Sequence, residues 1–268
     1  MATKIVNMPR VPVSGLESDQ PLFIYLRYGE FGADSYSDTH SHTWGQLNYA
    51  SRGVMQIEVG SQRFLSPPQY GVWVPPGMEH SCYMRDAVVY RSVYIASEQC
   101  SDFPSEPCTL EIGPILRAIF GDFAERDVRL PETPADIRLA QVLIDQLRSA
   151  PVQTRYLPYA QSAGLALVMQ ALQADPSDNR TLAEWAQQVY VSERTLARQC
   201  LRELGMSFGD WRQRLRFLAA IEALDSRQTV QEIAFDMGYS SASAFIAMFQ
   251  RQAGCTPEQY RRQGSGHA

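Results

Sequence analysis

No run of apolar residues in this chain approaches the ~20 that a membrane span requires, and the opening MATKIVNMPRV has no stretch long enough for a secretory leader. These absences point to a cytoplasmic protein with no membrane partner. Cysteine is scarce: the five cysteines are an odd number with no Cys-x-x-Cys pair, which fits reduced thiols rather than a disulfide framework. An excess of positive charge is also missing. The net charge is −5, all of it in the first 173 residues, and the remainder is neutral. A basic coat is therefore excluded, and any affinity for nucleic acid has to come from arginines gathered on one face. What is present is ordinary globular material, 45% hydrophobic and 20% charged in 268 residues, enough for two domains of ~150.

The most organised stretch is the last third, where one pattern occurs twice. Leu196-x3-Cys200-x4-Gly205-x-Ser207-x3-Trp211 returns 49 residues later as Phe245-x3-Phe249-x4-Gly254-x-Thr256-x3-Tyr260. Upstream, Ala186, Val189 and Ser192 match Ala234, Met237 and Ser240 at a shift of 48, so the second copy has one extra residue in its turn. Each copy reads as a short helix, a tight turn and a longer helix opening on serine, which is a helix-turn-helix outline. Between the copies Trp211–Leu224 reads as one long helix able to hold the two units at a fixed separation.

The run Ile233-Ala234-x3-Gly238-Tyr239-Ser240-x4-Phe245-x3-Phe249-x4-Gly254-x2-Pro257-x2-Tyr260-Arg261 resembles the C-terminal signature of AraC/XylS-family transcription regulators. The resemblance covers roughly residues 165 to 262, and Cys200 stands where that family usually has Phe. It implies a sequence-specific regulator that binds promoter DNA, with RNA polymerase as a further partner if it activates.

Upstream, Phe23–Tyr28, Gln46–Ala50, Val54–Val59, Gln62–Leu65, Gly71–Val74, His80–Tyr83 and Val88–Ile95 read as short strands, with Gly60-Ser61 suited to a tight hairpin. Such spacing suggests an antiparallel sandwich or small barrel. His40-x-His42-x3-Gln46-x6-Gly53 and Gly71-x3-Pro75-Pro76-Gly77-x2-His80 resemble the two motifs of a cupin barrel, with Gln46 in place of an acid and Met84 where Asn is common. His40, His42 and His80 with Gln46 could hold a divalent metal ion, face an effector, or form a structural hydrogen-bonded cluster. Trp44, Tyr49, Trp73 and Tyr83 lie near the same motifs and could wall a small-molecule pocket or serve as plain core.

Residues 96–110 read as loop, followed by helical segments at Ile115–Phe123, Ile137–Leu147 and Tyr159–Leu172 that could fill space or make a homodimer. The segment 173–179 reads as a linker. In the first recognition helix Leu196, Cys200 and Leu204 form a buried side, while Arg194, Arg198 and Arg202 recur at four along another face, fit for guanine edges or phosphates, or a solvated stripe paired with Glu193 and Glu203. The resemblance assigns base contact to positions 194, 197 and 198. Ser192, Thr195, Ala197 and, in the second copy, Ser241, Ser243, Ile246, Ala247 and Arg251 complete the expected DNA-binding set.

The resulting expectation is an α+β multidomain chain: an irregular arm over 1–22, a cupin-like antiparallel β sensor over 23–105, a helical region over 106–173, an all-α double helix-turn-helix over 174–262, and a tail over 263–268. Its function is that of an effector-responsive transcription regulator, not an enzyme. The alternative is a metal-dependent cupin enzyme, a dioxygenase or isomerase, with a helical appendage.

Overall fold

The computed structural model describes residues 23–153, 156–224 and 226–265, with the side chains of 263–265 left aside; the expected arm over 1–22 and the last residues of the tail lie outside that range. The chain divides into two compact units, one ending at Tyr156 and one beginning at Leu157.

The first unit is built from antiparallel strands β1 (Ile24–Phe31), β2 (Ser35–Tyr36), β3 (Gly45–Arg52), β4 (Met55–Val59), β5 (Gln62–Ser66), β6 (Tyr70–Val74), β7 (His80–Met84), β8 (Val88–Ile95), β9 (Cys108–Glu111) and β10 (Val152–Gln153), with helices α1 (Pro114–Glu125) and α2 (Pro134–Arg148). All seven expected strands are present. The strands form a six-stranded sheet in the order β1-β8-β3-β6-β9-β10 and a four-stranded sheet in the order β2-β7-β4-β5. Gly60 and Ser61 make the two-residue turn between Val59 and Gln62, Gly60 at φ 57° in the left-handed region such a turn demands.

Strand β3 lies at the centre, and alternation gives it two buried faces. Leu47 and Tyr49 face one apolar core with Leu110, Leu116, Phe120, Phe123, Leu143 and Leu147. Ala50 belongs to a second core with Met55, Ile57, Phe64, Met84 and Tyr90. The first core corrects the expected boundary at 105. Residues 106–156 are not a separate helical region, because β9 pairs with β6 and the apolar stripes of α1 and α2 cover the sheet of the first unit. The loop expected over 96–110 likewise ends early, since Cys108 and Leu110 are buried in strand β9.

The second unit is helical: α3 (Ala163–Ala174), α4 (Leu182–Gln188), α5 (Glu193–Gln199), α6 (Phe208–Leu224), α7 (Val230–Asp236), α8 (Ala242–Ala253) and α9 (Pro257–Ser265). The duplication continues into the capping. Thr181 with Glu184 and Thr229 with Glu232 form capping boxes on α4 and α7, again 48 residues apart. Ser192 and Ser241 cap α5 and α8, so the extra residue of the second turn lies between Met237 and Ser241. The left-handed position of that turn is Gly238, whose missing Cβ makes room for the Ser177 carbonyl; its counterpart Tyr190 takes the same conformation at φ 57°. After Gln199 helix α5 widens into a π turn over Cys200–Leu204 and stops at Gly205. Cys200 and Leu204 are buried there, as the spacing predicts.

Three charged side chains hold this unit by bonding main chain. Arg216, only 6% exposed, donates to the carbonyls of Pro176 and Asp178 at 2.8 and 3.0 Å and to Asn179 Oδ1 at 2.9 Å, so the expected linker is clamped onto α6. Arg261 donates to Leu224 O and Gln228 O, closing the α6–α7 loop, while Tyr260 beside it packs edge-on against Phe249. Glu203 accepts the Gln161 and Ser162 backbone N–H groups at 2.9 Å, and so supplies the N-terminal cap of α3 that Ser162 does not. Burial pushes its carboxyl up, but the Ser162 N–H, the Arg202 guanidinium and the Gln161 N–H outweigh that and hold it at about 2. A carboxyl depressed in the folded state stabilises fully above its unfolded value near 4.5, and that contribution is lost as pH falls through the folded value near 2. Glu203→Gln is therefore expected to lower unfolding free energy at pH 7 by about 1–3 kcal/mol in urea titrations. It should also flatten the stability profile between pH 4.5 and 2; an unchanged profile would contradict the capping role.

Candidate functional site: a histidine-lined recess and two recognition helices

Between the two sheets of the first unit lies a narrow, partly open recess with about 20 Å³ of water-sized space, room for about one ordered water. Its walls are Arg27 and Phe31 of β1, Ser37, His40, Gln46 and Asn48, Met55, His80, Cys82 and Met84 of β7, and Tyr90 and Tyr94 of β8. Strand alternation sends Gln46 and Asn48 here while Leu47 and Tyr49 face the helices, and it sends Tyr90 and Tyr94 inward from β8.

The three histidines meet at one end. A backbone bridge joins His40 to His80, and the ring centroids of His40 and His42 lie 4.3 and 5.0 Å from that of His80. Each Nδ1 faces a main-chain carbonyl: His40 faces Asp38 at 2.8 Å, His42 faces Trp44 at 3.1 Å and His80 faces Met78 at 3.0 Å. A carbonyl only accepts, so each Nδ1 carries the proton and each Nε2 is left with a lone pair. The Nε2 atoms of His42 and His80 point at Gln46 Oε1, 3.0 and 2.8 Å away. Three lone-pair atoms in that arrangement repel one another unless a proton or a cation lies among them or the Gln46 amide turns over to donate, and one ligand atom of each histidine lies within 4.8 Å of the others. The set therefore fits a divalent metal, with imidazole nitrogens and an amide oxygen as ligands. Protons do not serve as well. Burial lowers the pKa of His42, and it holds His80 at about 4. On its other side the Gln46 amide donates to Asn48 Oδ1, Tyr90 Oη and Ser92 Oγ, with Tyr90 also donating to Asn48 Oδ1.

The four aromatics expected around a pocket do not border the recess, and each has a reason. Tyr49 and Trp73 lie on the opposite face of the sheet: Tyr49 packs on Phe120, and Trp73 stacks on Phe103 and donates to Pro104 O. Trp44 is buried beside Thr43, Ala96 and Ser97. Tyr83 alternates away from Cys82 and Met84 and donates to Asp34 at the surface. The aromatic walls are instead Tyr90, Tyr94 and Phe31. A signal for two of them existed, since Tyr90, Ser92 and Tyr94 recur at two along β8, between Val89, Arg91, Val93 and Ile95.

In the second unit α5 carries Arg194 and Arg198 exposed, with neither an ion pair nor a hydrogen-bond partner among the described residues. Leu196 is buried on the opposite side and Ala197 is half-buried. Ser192 and Thr195 hold each other at 2.8 Å in the cap. Arg202 falls in the π turn and pairs with Glu203, unlike the other two. On α8, Ser241, Ser243 and Ala247 are exposed and Ile246 half-buried, while Arg251 donates to Gln213 of α6. The rod α6 is about 25 Å long, at 1.5 Å per residue, and lies between the two helix-turn-helix copies.

Residues 23–172 match the AraC-like ligand binding domain, and residues 185–263 match a helix-turn-helix domain. The chain belongs to the AraC family of transcription regulators. It is 35% identical over 224 residues to the HTH-type transcriptional regulator NimR of Escherichia coli K12, covering 84% of this chain and 82% of that one. The HTH-type transcriptional regulator RipA of Corynebacterium glutamicum is 34% identical over 93 residues, 35% of this chain and 28% of its own. Among solved structures, the C-terminal domain of AraT, a response regulator from Geobacillus stearothermophilus, is 31% identical over 38% of this chain and 86% of its own, with a TM-score of 0.37. The matched families and relatives are regulators, which sets aside the cupin-enzyme alternative. No helix among the described residues is long and apolar enough to cross a membrane.

For this AraC-family chain the low pKa of His80 has a direct consequence. Its neutral form is favoured in the folded state, so the unfolded chain binds the extra proton first. Stability is fully present above the unfolded value of 6.5 and is lost as pH falls from there through the folded value near 4. Melting temperature measured without metal should fall across that window. His80→Gln should reduce the slope, and an equal slope would assign the acid sensitivity to other groups.

Proposed function

We propose that this AraC-family regulator reads its operator chiefly through α5, and that its N-terminal recess senses a small effector with a divalent cation at His40, His42, His80 and Gln46. The observation that carries the first half is the contrast between the two recognition helices. Arg194 and Arg198 are exposed and without partners among the described residues, on a helix fixed by its serine cap, whereas the same positions of α8 hold Ser243 and Ala247. Two guanidinium groups can each bond guanine O6 and N7, while short or apolar groups suit backbone approach or thymine methyls. Ala197 and Ile246 are close-approach positions in this reading, and Arg202 and Arg251, already bonded within the protein, are backbone contacts. Homodimerisation is supported by Ile115, Ile137 and Val142, which are exposed on α1 and α2. A cytoplasmic site of action follows from the DNA target, and RNA polymerase is the further partner wherever the bound promoter is activated.

Base discrimination should therefore concentrate in the half-site under α5. Arg198→Ala is expected to weaken operator binding ten-fold or more and to relax one base position, an effect of about 1–3 kcal/mol. Ala247→Gly should do much less. A binding titration at fixed salt against an operator mutated one base pair at a time measures both, and equal sequence sensitivity under the two helices would overturn the assignment.

The metal half rests on the convergence of lone pairs at Gln46 Oε1. Chain purified without chelator should carry close to one divalent ion, lose it in His42→Ala, and hold it more tightly in Gln46→Glu, because an anionic oxygen is the better ligand. The rival arrangement turns the Gln46 amide over so that its nitrogen donates to both histidines, which closes the cluster without an ion. Elemental analysis with no stoichiometric metal in either the native chain or Gln46→Glu would favour that arrangement.

A further inference from the structure

The two copies close their first helices in the same way. Val191 N–H donates to Ala186 O at 3.0 Å and Tyr190 N–H to Gln187 O at 3.2 Å; in the second copy Tyr239 N–H donates to Ala234 O at 2.9 Å and Gly238 N–H to Phe235 O at 2.8 Å. This closure holds residues 190 and 238 in the left-handed region, at φ 57° and 75°, where glycine is the usual choice. The second copy has no alternative, because a Cβ at 238 would strike the Ser177 carbonyl. The first copy has a tyrosine. Its side chain is 95% exposed and makes no hydrogen bond or ring contact among the described residues. The other non-glycine residues at positive φ among the described residues, Asp34 and Asp127, are of a type that tolerates the conformation. A tyrosine at this point strains the backbone and packs on nothing, so the fold itself does not explain it.

Its position supplies the reason. Tyr190 stands two residues before Ser192, the cap of α5. A helix-turn-helix directs the N-terminal end of its second helix into the major groove while the first crosses the backbone, so the turn between them comes to the edge of the groove, beside the phosphates. In that turn Tyr190 points outward between Val189 and Val191, both half-buried. A phenol is an apolar ring with a donor at its tip, and tyrosine is among the side chains that bond phosphate oxygen. Neutral donors count for more in a unit whose net charge is zero.

We propose that Tyr190 anchors the first helix-turn-helix to the DNA backbone, its hydroxyl donating to a phosphate at the edge of the half-site under α5 and its ring lying against the adjoining sugar. The second copy, with Gly238 in the same place, lacks this anchor. The inference rests on α5 as a helix that enters the groove, and is independent of which bases Arg194 and Arg198 read.

The test is a binding titration of the full chain, over a range of salt, on an operator duplex selected in vitro with the same chain and on its single base-pair variants. Tyr190→Phe, which keeps the ring and the backbone, should weaken all of them alike by about three- to ten-fold, the loss of one hydrogen bond. The slope of affinity against salt should stay as it was, because a neutral donor releases no counterion. Methylphosphonate placed one position at a time along the α5 half-site should reveal one phosphate at which Tyr190→Phe has no further effect. Tyr190→Gly should bind at least as weakly as Tyr190→Phe and melt no lower than the unaltered chain. Unchanged DNA affinity in Tyr190→Phe overturns the proposal; if transcription alone suffers, the ring serves a protein partner such as RNA polymerase. A flattened salt slope, a shifted base preference, or a lower melting temperature in Tyr190→Gly overturns it as well. Arg198→Ala measured in parallel separates the two readings. A base position relaxed by Arg198→Ala, with no effect of Tyr190→Phe, removes this inference alone. Weaker binding in Tyr190→Phe with a flat response to Arg198→Ala supports the anchor and removes the base assignment.

Discussion

Strand β3 has no solvent side, and the rest of the N-terminal unit answers to that constraint. One of its faces is apolar and is covered by α1 and α2. The other carries Gln46 and Asn48, at 2% and 0% exposure, and buried amides must be hydrogen-bonded or pay several kcal/mol. The partners come from both neighbours: Tyr90 and Ser92 from β8, His80 from β7, and His42 from the segment entering β3. The histidine cluster and the tyrosine wall are thus two halves of one network with a single amide between them.

The DNA-binding unit follows a different economy. Its net charge is zero, which as composition argues against DNA, yet two sets among its arginines have opposite roles. Arg212, Arg216 and Arg261 are turned onto main-chain carbonyls and hold the loop before α4, the rod α6 and the ending at α9 together. Arg194 and Arg198 are left to solvent on α5. Counting charge could not separate the two, because the separation is made by which carbonyls each guanidinium can reach. Rigidity matters here, since two recognition helices on one rod serve a fixed operator spacing only if the rod and its loops do not give.

The elements were largely legible beforehand. The seven strands and the duplicated helical unit were readable because each is a local periodicity, of two or of about 3.6, bounded by turn residues or a serine cap. The short strands β2, β9 and β10 were not, because two to four residues carry no measurable period and form only where a neighbour presents an open edge. The boundary at 105 failed for a related reason: it was drawn where the strand pattern stops at a run of turn residues, while the pairing of β9 with β6 and the packing of α1 and α2 on the sheet are long-range contacts.

By itself the sequence determined the order of the domains, the family and the membership of the histidine cluster, since motif spacing and strand alternation bring His40, His42, Gln46 and His80 to one face. It did not determine what surrounds them. Trp44, Tyr49, Trp73 and Tyr83 are near in sequence and turned elsewhere, while Arg27 and Tyr90 lie outside the motifs and line the recess. Alternation assigns a side chain to one of two faces, but which face meets the other sheet and which meets the helices depends on how the sheets pair. Only the tertiary structure decides that, because burial on both sides of β3 leaves no solvent face from which to infer it.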